Sequence, residues 1–263
     1  MTVSHLFLRY VAIGDSLTEG IGDPGPTGGH RGWADRFAET LAVAQPGLTY
    51  GNLAVRGKTS GQIKADQLGP ALALRPDLVT VTAGMNDVVR PRFDPESVAA
   101  NIEEMFARLT ASGARVATMT FPDLGKVSPV ARRVRPRILD LNSRVRVIAA
   151  RHGVAVLDVF PHAFTADPRL WSDDRLHASP IGHERIAAGM AHTLGLPGYE
   201  DWPDPLPAQS PVPALRARAA DVRWAVDHVG PWLWRRLRGH VPGDGFSAKR
   251  PVPGPVRPQH AAG

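Results

Sequence analysis

Between residues 9 and 196 of this 263-residue chain, short runs of β-branched and apolar residues alternate with stretches of helical periodicity. That alternation constrains the fold most. Strands separated by helices pair in parallel, because each helical crossover returns the chain to the same end of the sheet. The strand candidates are Tyr10 to Gly14, Leu48 to Val55, Leu78 to Ala83, Arg115 to Phe121 and Val154 to Val159. The helix candidates are Trp33 to Ala44, Ser60 to Leu74, Pro95 to Ala111, Val134 to Arg151 and Pro180 to Leu194. In the fourth, Val134, Ile138, Leu141, Val145 and Ile148 recur at offsets of four and three, which makes one apolar stripe with arginines opposite. Right-handed crossovers then line the carboxyl ends of five parallel strands along one edge, where open α/β sheets place ligands.

Residues 1–198 are expected to form this one domain. After it the composition shifts: Pro203, Pro205, Pro207, Pro211 and Pro213 mark a Pro-rich linker over 199–213. A basic amphipathic helix is expected over 214–240, interrupted near Pro231, and a Pro/Gly-rich disordered tail over 241–263. The formal charge of +6 lies wholly beyond Ser210, where nine basic residues face three acidic ones. A neutral body with a basic tail argues against a nucleic-acid-binding core. The extension, with Trp224, Trp232 and Trp234 beside Arg235, Arg236 and Arg238, suits either packing on the domain or a membrane surface.

Cysteine is absent, which excludes a thiolate nucleophile, a thiolate metal site and a disulfide framework. Met1 to Tyr10 lacks a signal-peptide pattern and no stretch reaches a membrane span, so a cytoplasmic protein is expected.

The first strand runs directly into Gly14-Asp15-Ser16-Leu17-Thr18-Glu19-Gly20, which places a serine just past a strand's carboxyl end. Its bland reading is a helix cap. A serine hydroxyl becomes a nucleophile only beside a base that a third group orients. Asp173-Asp174-Arg175-Leu176-His177 offers such a base before the last helix, with Asp174 three residues from His177 and Asp173 the other carboxylate nearby. The second strand leads to Gly57, and the third to Gly84-Met85-Asn86-Asp87. The N–H groups of Gly57 and Ser16 and the side-chain amide of Asn86 are the donor types that a developing alkoxide needs.

Gly14-Asp15-Ser16-Leu17, Gly57, Gly84-x-Asn86-Asp87 and Asp174-x-x-His177 together resemble the four blocks of the GDSL/SGNH hydrolases, in order and spacing, over residues 9 to 196. The resemblance implies a flavodoxin-like three-layer α/β/α sandwich with a five-stranded parallel sheet in the order 2-1-3-4-5. It also implies a Ser16 nucleophile, an Asp174/His177 base and an oxyanion hole from Ser16, Gly57 and Asn86. The activity implied is hydrolysis of carboxylic esters through a serine acyl-enzyme, on a small-molecule ester, lipid-like, thioester or acetylated sugar. A catalytically silent binding protein using the same cleft, or a membrane-surface protein acting through the basic helix, is the alternative.

No metal and no cofactor is expected. His183-Glu184 lacks the H-E-x-x-H spacing, so His183 is read as a helix-surface residue. Two loops are expected to shape the site: Ile21 to Arg31, flexible by its glycines, and Pro122 to Pro136, with Trp171 preceding the Asp/His turn.

Overall fold

The computed structural model describes residues 7–26, 28–127, 130–208, 224 and 245–256. The chain runs β1 (Arg9–Ile13), α1 (Ser16–Glu19), α2 (Gly32–Ala44), β2 (Thr49–Asn52), α3 (Ser60–Ala73), β3 (Leu78–Val81), α4 (Met85–Val88), α5 (Pro95–Ala111), β4 (Arg115–Met119), α6 (Arg135–His152), β5 (Ala155–Leu157), α7 (Pro180–Thr193) and β6 (Arg250–Pro255). The sheet order is β5-β4-β3-β1-β2-β6, with β1 to β5 parallel and β6 antiparallel to β2. The expected parallel order is present, and a sixth strand is added at its edge.

Alternation along the strands divides the core into two layers, since successive side chains leave a strand on opposite faces. Val11, Ile13, Val79 and Val81 meet Ile63 and Leu68 of α3, Ile102, Met105 and Phe106 of α5, and Ile138, Leu141 and Val145 of α6. Tyr10, Ala12 and Leu78 meet Trp33, Phe37 and Leu41 of α2 and Ala187 and Met190 of α7. This is the three-layer α/β/α sandwich. The helix starts follow local chemistry: Thr59 and Gln62 form a capping box on α3, Asp94 caps α5 before Pro95, and Ser179 caps α7 before Pro180.

Two expectations about the chain beyond the domain need correction. The packed body runs past residue 198, because Trp202 is buried against α7 and its ring lies 4.7 Å from that of His162. The last stretch is not wholly disordered, because Arg250–Pro255 is β6, in register Thr49↔Pro255, Tyr50↔Gly254 and Asn52↔Arg250 with an irregularity between. Pro251, Pro253 and Pro255 remove an N–H at every second position, so the missing donors all fall on one side of the strand. Only an edge strand, paired on one side, tolerates that pattern. The helix expected over 214–240 lies outside the described residues except for Trp224. Among the described residues no helix is long and apolar enough to cross a membrane.

Candidate active site

Gly14 follows β1 at φ +158°, and a Cβ there would sit 2.6 Å from Thr18 Oγ1 and 2.8 Å from the Thr82 carbonyl oxygen. Only glycine lets the chain turn so closely over β3. Gln67 of α3, fully buried, fixes the turn from both sides: the Gly14 N–H donates to its Oε1 at 2.8 Å and its Nε2 donates to the Gly14 carbonyl at 2.9 Å. The cap of the one-turn helix that follows is Asp15, whose Oδ1 accepts from the Leu17 N–H at 3.2 Å. Ser16 is therefore the first residue of α1 and not its cap. Its hydroxyl stands 3.1 Å from His177 Nε2.

The imidazole comes from a turn before α7. The Ser172 N–H donates to the His177 carbonyl at 2.9 Å, the Arg175 N–H donates to the Ser172 carbonyl at 2.8 Å, and Trp171 and Ala178 form an antiparallel bridge. Arg175 closes the turn at φ +55°, a conformation costly for a non-glycine residue. Asp174, not Asp173, meets the ring, with Oδ2 2.6 Å from His177 Nδ1. Its other oxygen, Oδ1, accepts from Ser172 Oγ at 2.7 Å, the Leu176 N–H at 2.9 Å and the His177 N–H at 3.0 Å. Burial works to raise the Asp174 pKa, but the hydrogen bonds and charge of His177 more than offset it and hold the carboxyl well below the usual range. The carboxylate therefore stays ionised beside the ring.

Gly57 and Asn86 lie in the segments that follow β2 and β3. Arg56, just before Gly57, donates through its backbone N–H at 2.7 Å to Glu19, and its guanidinium forms an ion pair with that buried carboxylate. This ties α1 to the Gly57 turn, where φ is +75°. Gly84 starts the next turn at φ +114°, since a Cβ there would lie 2.8 Å from Leu141 Cδ2. Asn86 follows, and its Nδ2 donates to Asp15 Oδ2 and to the Lys58 carbonyl, each at 3.0 Å. Both amide hydrogens are thus engaged. Burial pushes the Asp15 carboxyl up to about 6, against the opposing pull of the Leu17 N–H and the charge of His177.

The site contains residues that sequence reading missed or misplaced. His183 is fully buried and not on a helix surface. Its Nδ1 accepts from the Trp33 N–H at 3.0 Å, so Nε2 carries the proton and donates to the Ile21 carbonyl at 3.0 Å. It joins α7 to α2 and to the loop after α1, and burial pushes its pKa down to about 4. That loop is braced, not loose. Arg36 forms an ion pair with buried Asp23, the Arg31 N–H donates to the Asp23 carbonyl, and Pro24 bridges His30. A Cβ at Gly22 would come within 2.1 Å of the Ala178 carbonyl oxygen, so the loop lies directly against the histidine turn. Gln67, Ser172 and Asp23 stand in no motif that would have marked them in the sequence. Among the described residues no group of three or more His, Asp or Glu side chains is placed to hold a metal ion.

The late part of the chain also reaches this edge. Phe246 lies under the Arg56 guanidinium at 4.3 Å, and Lys249 Nζ donates to the His30 and Arg31 carbonyls and forms an ion pair with Asp35 at 3.0 Å.

A family model described as the GDSL-like Lipase/Acylhydrolase family matches residues 12–185. No curated protein matches the chain. Among solved structures, the chain is similar to LAE5, an alpha/beta hydrolase enzyme from the metagenome of Lake Arreo, Spain, with 24% identity and a TM-score of 0.61 over 72% of this chain and 95% of that one. It is also similar to a catalytic mutant of Axe2, an acetylxylan esterase from Geobacillus stearothermophilus, with 20% identity and a TM-score of 0.61 over 71% and 94%. The psychrotrophic esterase EstA from Pseudoalteromonas sp. follows with 19% identity and a TM-score of 0.58 over 71% and 96%. At these identities the likeness is one of fold.

Proposed function

Because the chain belongs to the GDSL-like lipase/acylhydrolase family, we propose that it hydrolyses carboxylic esters through an acyl group carried on Ser16. The observation that carries this reading is the continuous line Ser16 Oγ, His177 Nε2, His177 Nδ1, Asp174 Oδ2, with separations of 3.1 Å and 2.6 Å at its two hydrogen bonds. Geometry of this kind is what a weak hydroxyl needs: a base within reach, and a carboxylate that fixes the base's tautomer and balances its charge once protonated.

In the mechanism we propose, His177 Nε2 takes the hydroxyl proton as Ser16 Oγ bonds to the ester carbonyl carbon. The carbonyl electron pair moves onto its oxygen, which the N–H groups of Ser16 and Gly57 and the Asn86 amide receive. Collapse expels the alkoxide, which His177 protonates, and leaves the acyl group on Ser16. Water, deprotonated by His177, attacks that ester, and the second collapse returns the proton to Ser16 and releases the acid. Asp174 keeps its charge throughout.

The alternative of a silent binding protein, with Ser16 merely capping a helix, loses its structural motive because Asp15 fills the cap. Acetyl esters of sugars are the first natural substrates to try, given the fold likeness to an acetylxylan esterase. The direct test is labelling by a fluorophosphonate together with turnover of nitrophenyl acetate. Loss of both in Ser16→Ala is expected; labelling that persists in that variant overturns the assignment.

A further inference from the structure

The turn that carries Asp174 and His177 is held by a side chain from outside the family-matched stretch. The indole Nε1 of Trp224 donates to the Asp174 carbonyl oxygen at 2.7 Å, and the Arg175 guanidinium lies 5.2 Å from the centroid of the same ring. Trp224 lies 50 residues beyond Asp174, whereas the match to the family ends at residue 185. We propose that Trp224 is a positioning residue for the Asp174–His177 pair, acting by anchoring the peptide between Asp174 and Arg175.

The aim of the Asp174 side chain is set by which way that peptide faces. Its N–H end is satisfied inside the turn by the Ser172 carbonyl. Its carbonyl end finds, among the described residues, only the indole. The φ of Arg175 and the direction of the Asp174 carbonyl are linked, because both belong to one rigid planar unit. Rotating that unit over would return Arg175 from φ +55° to the ordinary negative region, so the observed orientation carries strain that some contact must offset. The same rotation would disturb the next two N–H groups, Leu176 and His177, which are two of the three donors aiming Asp174 Oδ1. A hydrogen bond to the Asp174 main chain thereby governs the direction of the Asp174 side chain, and through it the protonated nitrogen of His177. The bond is short and its donor half-buried, so water is a poor substitute.

This inference rests on the proposed roles of Ser16, His177 and Asp174, so its test includes a readout that needs no turnover. Trp224→Phe removes the N–H while keeping an aromatic face for Arg175, and Trp224 is in neither core layer, so the variant should fold; thermal melts verify this. Expected is a fall in kcat for nitrophenyl acetate of about 10- to 100-fold, with KM within about twofold, since the loss is of alignment and not of substrate contact. The ¹⁵N shifts of the His177 ring, read without substrate, should move from a single Nδ1-protonated tautomer toward a mixture. Arg175→Gly, which adopts positive φ without strain, should recover part of the lost kcat when combined with Trp224→Phe. Unchanged kcat and ring shifts overturn the proposal. So does a fall in kcat with unaltered ring shifts, or one that Arg175→Gly does not relieve, since Trp224 would then act as packing or as a substrate contact. If Ser16→Ala retains turnover, the nucleophile assignment fails separately, and the ring shifts still decide whether the indole anchors the pair.

Discussion

His177 Nε2 lies 3.1 Å from Ser16 Oγ although 161 residues separate them in the chain. Two glycines make the approach possible: Gly14 turns the serine out over the sheet edge, and Gly22 lets the loop after it close against Ala178. If the pair acts as proposed, Ser16→Ala and His177→Ala should each lower kcat for nitrophenyl acetate by on the order of 10⁴ to 10⁶, and the double variant should be little worse than either. Circular dichroism should be unchanged. A double variant whose loss equals the product of the two singles would mean that the residues do not act as one unit.

Asn86→Ala is expected to cost about 10² to 10³ in kcat with a small change in KM, the signature of a donor that strengthens only as charge develops on the substrate oxygen. The variant also frees Asp15 Oδ2 and the Lys58 carbonyl, which the amide now bridges. Asn86→Asp separates these effects: it keeps the size of the side chain, removes the donors and places a second carboxyl against Asp15. It should therefore be slower than Asn86→Ala at pH 8, and steady-state kinetics of the two variants side by side would reveal the reverse.

The five parallel strands, the three turns at strand ends and the start of α7 were legible in the sequence because each has a local cause: a β-branched run, a glycine at a turn, a serine before a proline. What could not be read was produced by long-range packing. His183 has the polar neighbours of a surface residue, Glu184 and Arg185, yet it faces α2 because Gly182 and Gly189 bring α7 close to Leu170, Leu157 and Trp202. The prolines of β6 favour a loop by every local rule, and pairing with β2 overrides them. One-turn helices such as α1 and α4 are too short to show a period, although they carry Ser16 and Asn86.

Burial holds His183 at about 4 in the folded state, below the ~6.5 of an unfolded chain. In that window the unfolded state binds the extra proton, so the contribution of His183 to stability is full above pH ~6.5 and is lost as pH falls toward 4. Asp15, raised to about 6, acts in the opposite sense between ~3.9 and 6, because there the folded state holds the proton. The net slope of the wild type thus hides both. His183→Gln can keep one acceptor for Trp33 and one donor for Ile21 without titrating. Denaturant melts should show wild type losing stability relative to His183→Gln as pH drops from about 6.5 to 4, and a difference that is flat with pH would remove His183 from the account.

Lys249 fastens β6 to the loop before α2 and to Asp35, an ion pair whose two side chains are about four-fifths shielded from water. Burial raises the Asp35 carboxyl above its ordinary value even with the ammonium in place, while burial lowers Lys249. Lys249→Met keeps the length and the packing but leaves a shielded carboxylate without its cation, which should cost about 1–3 kcal/mol, less than for a wholly buried pair because both groups retain some solvent. For a domain of this size that corresponds to a fall in Tm of roughly 3–10 °C. The loss should depend on pH in a definite direction. Above the folded pKa of Asp35 the variant carries an unpaired charge and the full loss appears; as pH falls and the carboxyl protonates, nothing remains to be paired and the variant should approach wild type. Melts at pH 8 and near the ordinary carboxylate value of ~3.9 bracket the change, and Asp35→Asn in the Lys249→Met background should abolish the difference between them. A loss of equal size at both pH values would assign the role of Lys249 to its bonds with the His30 and Arg31 carbonyls and not to the ion pair.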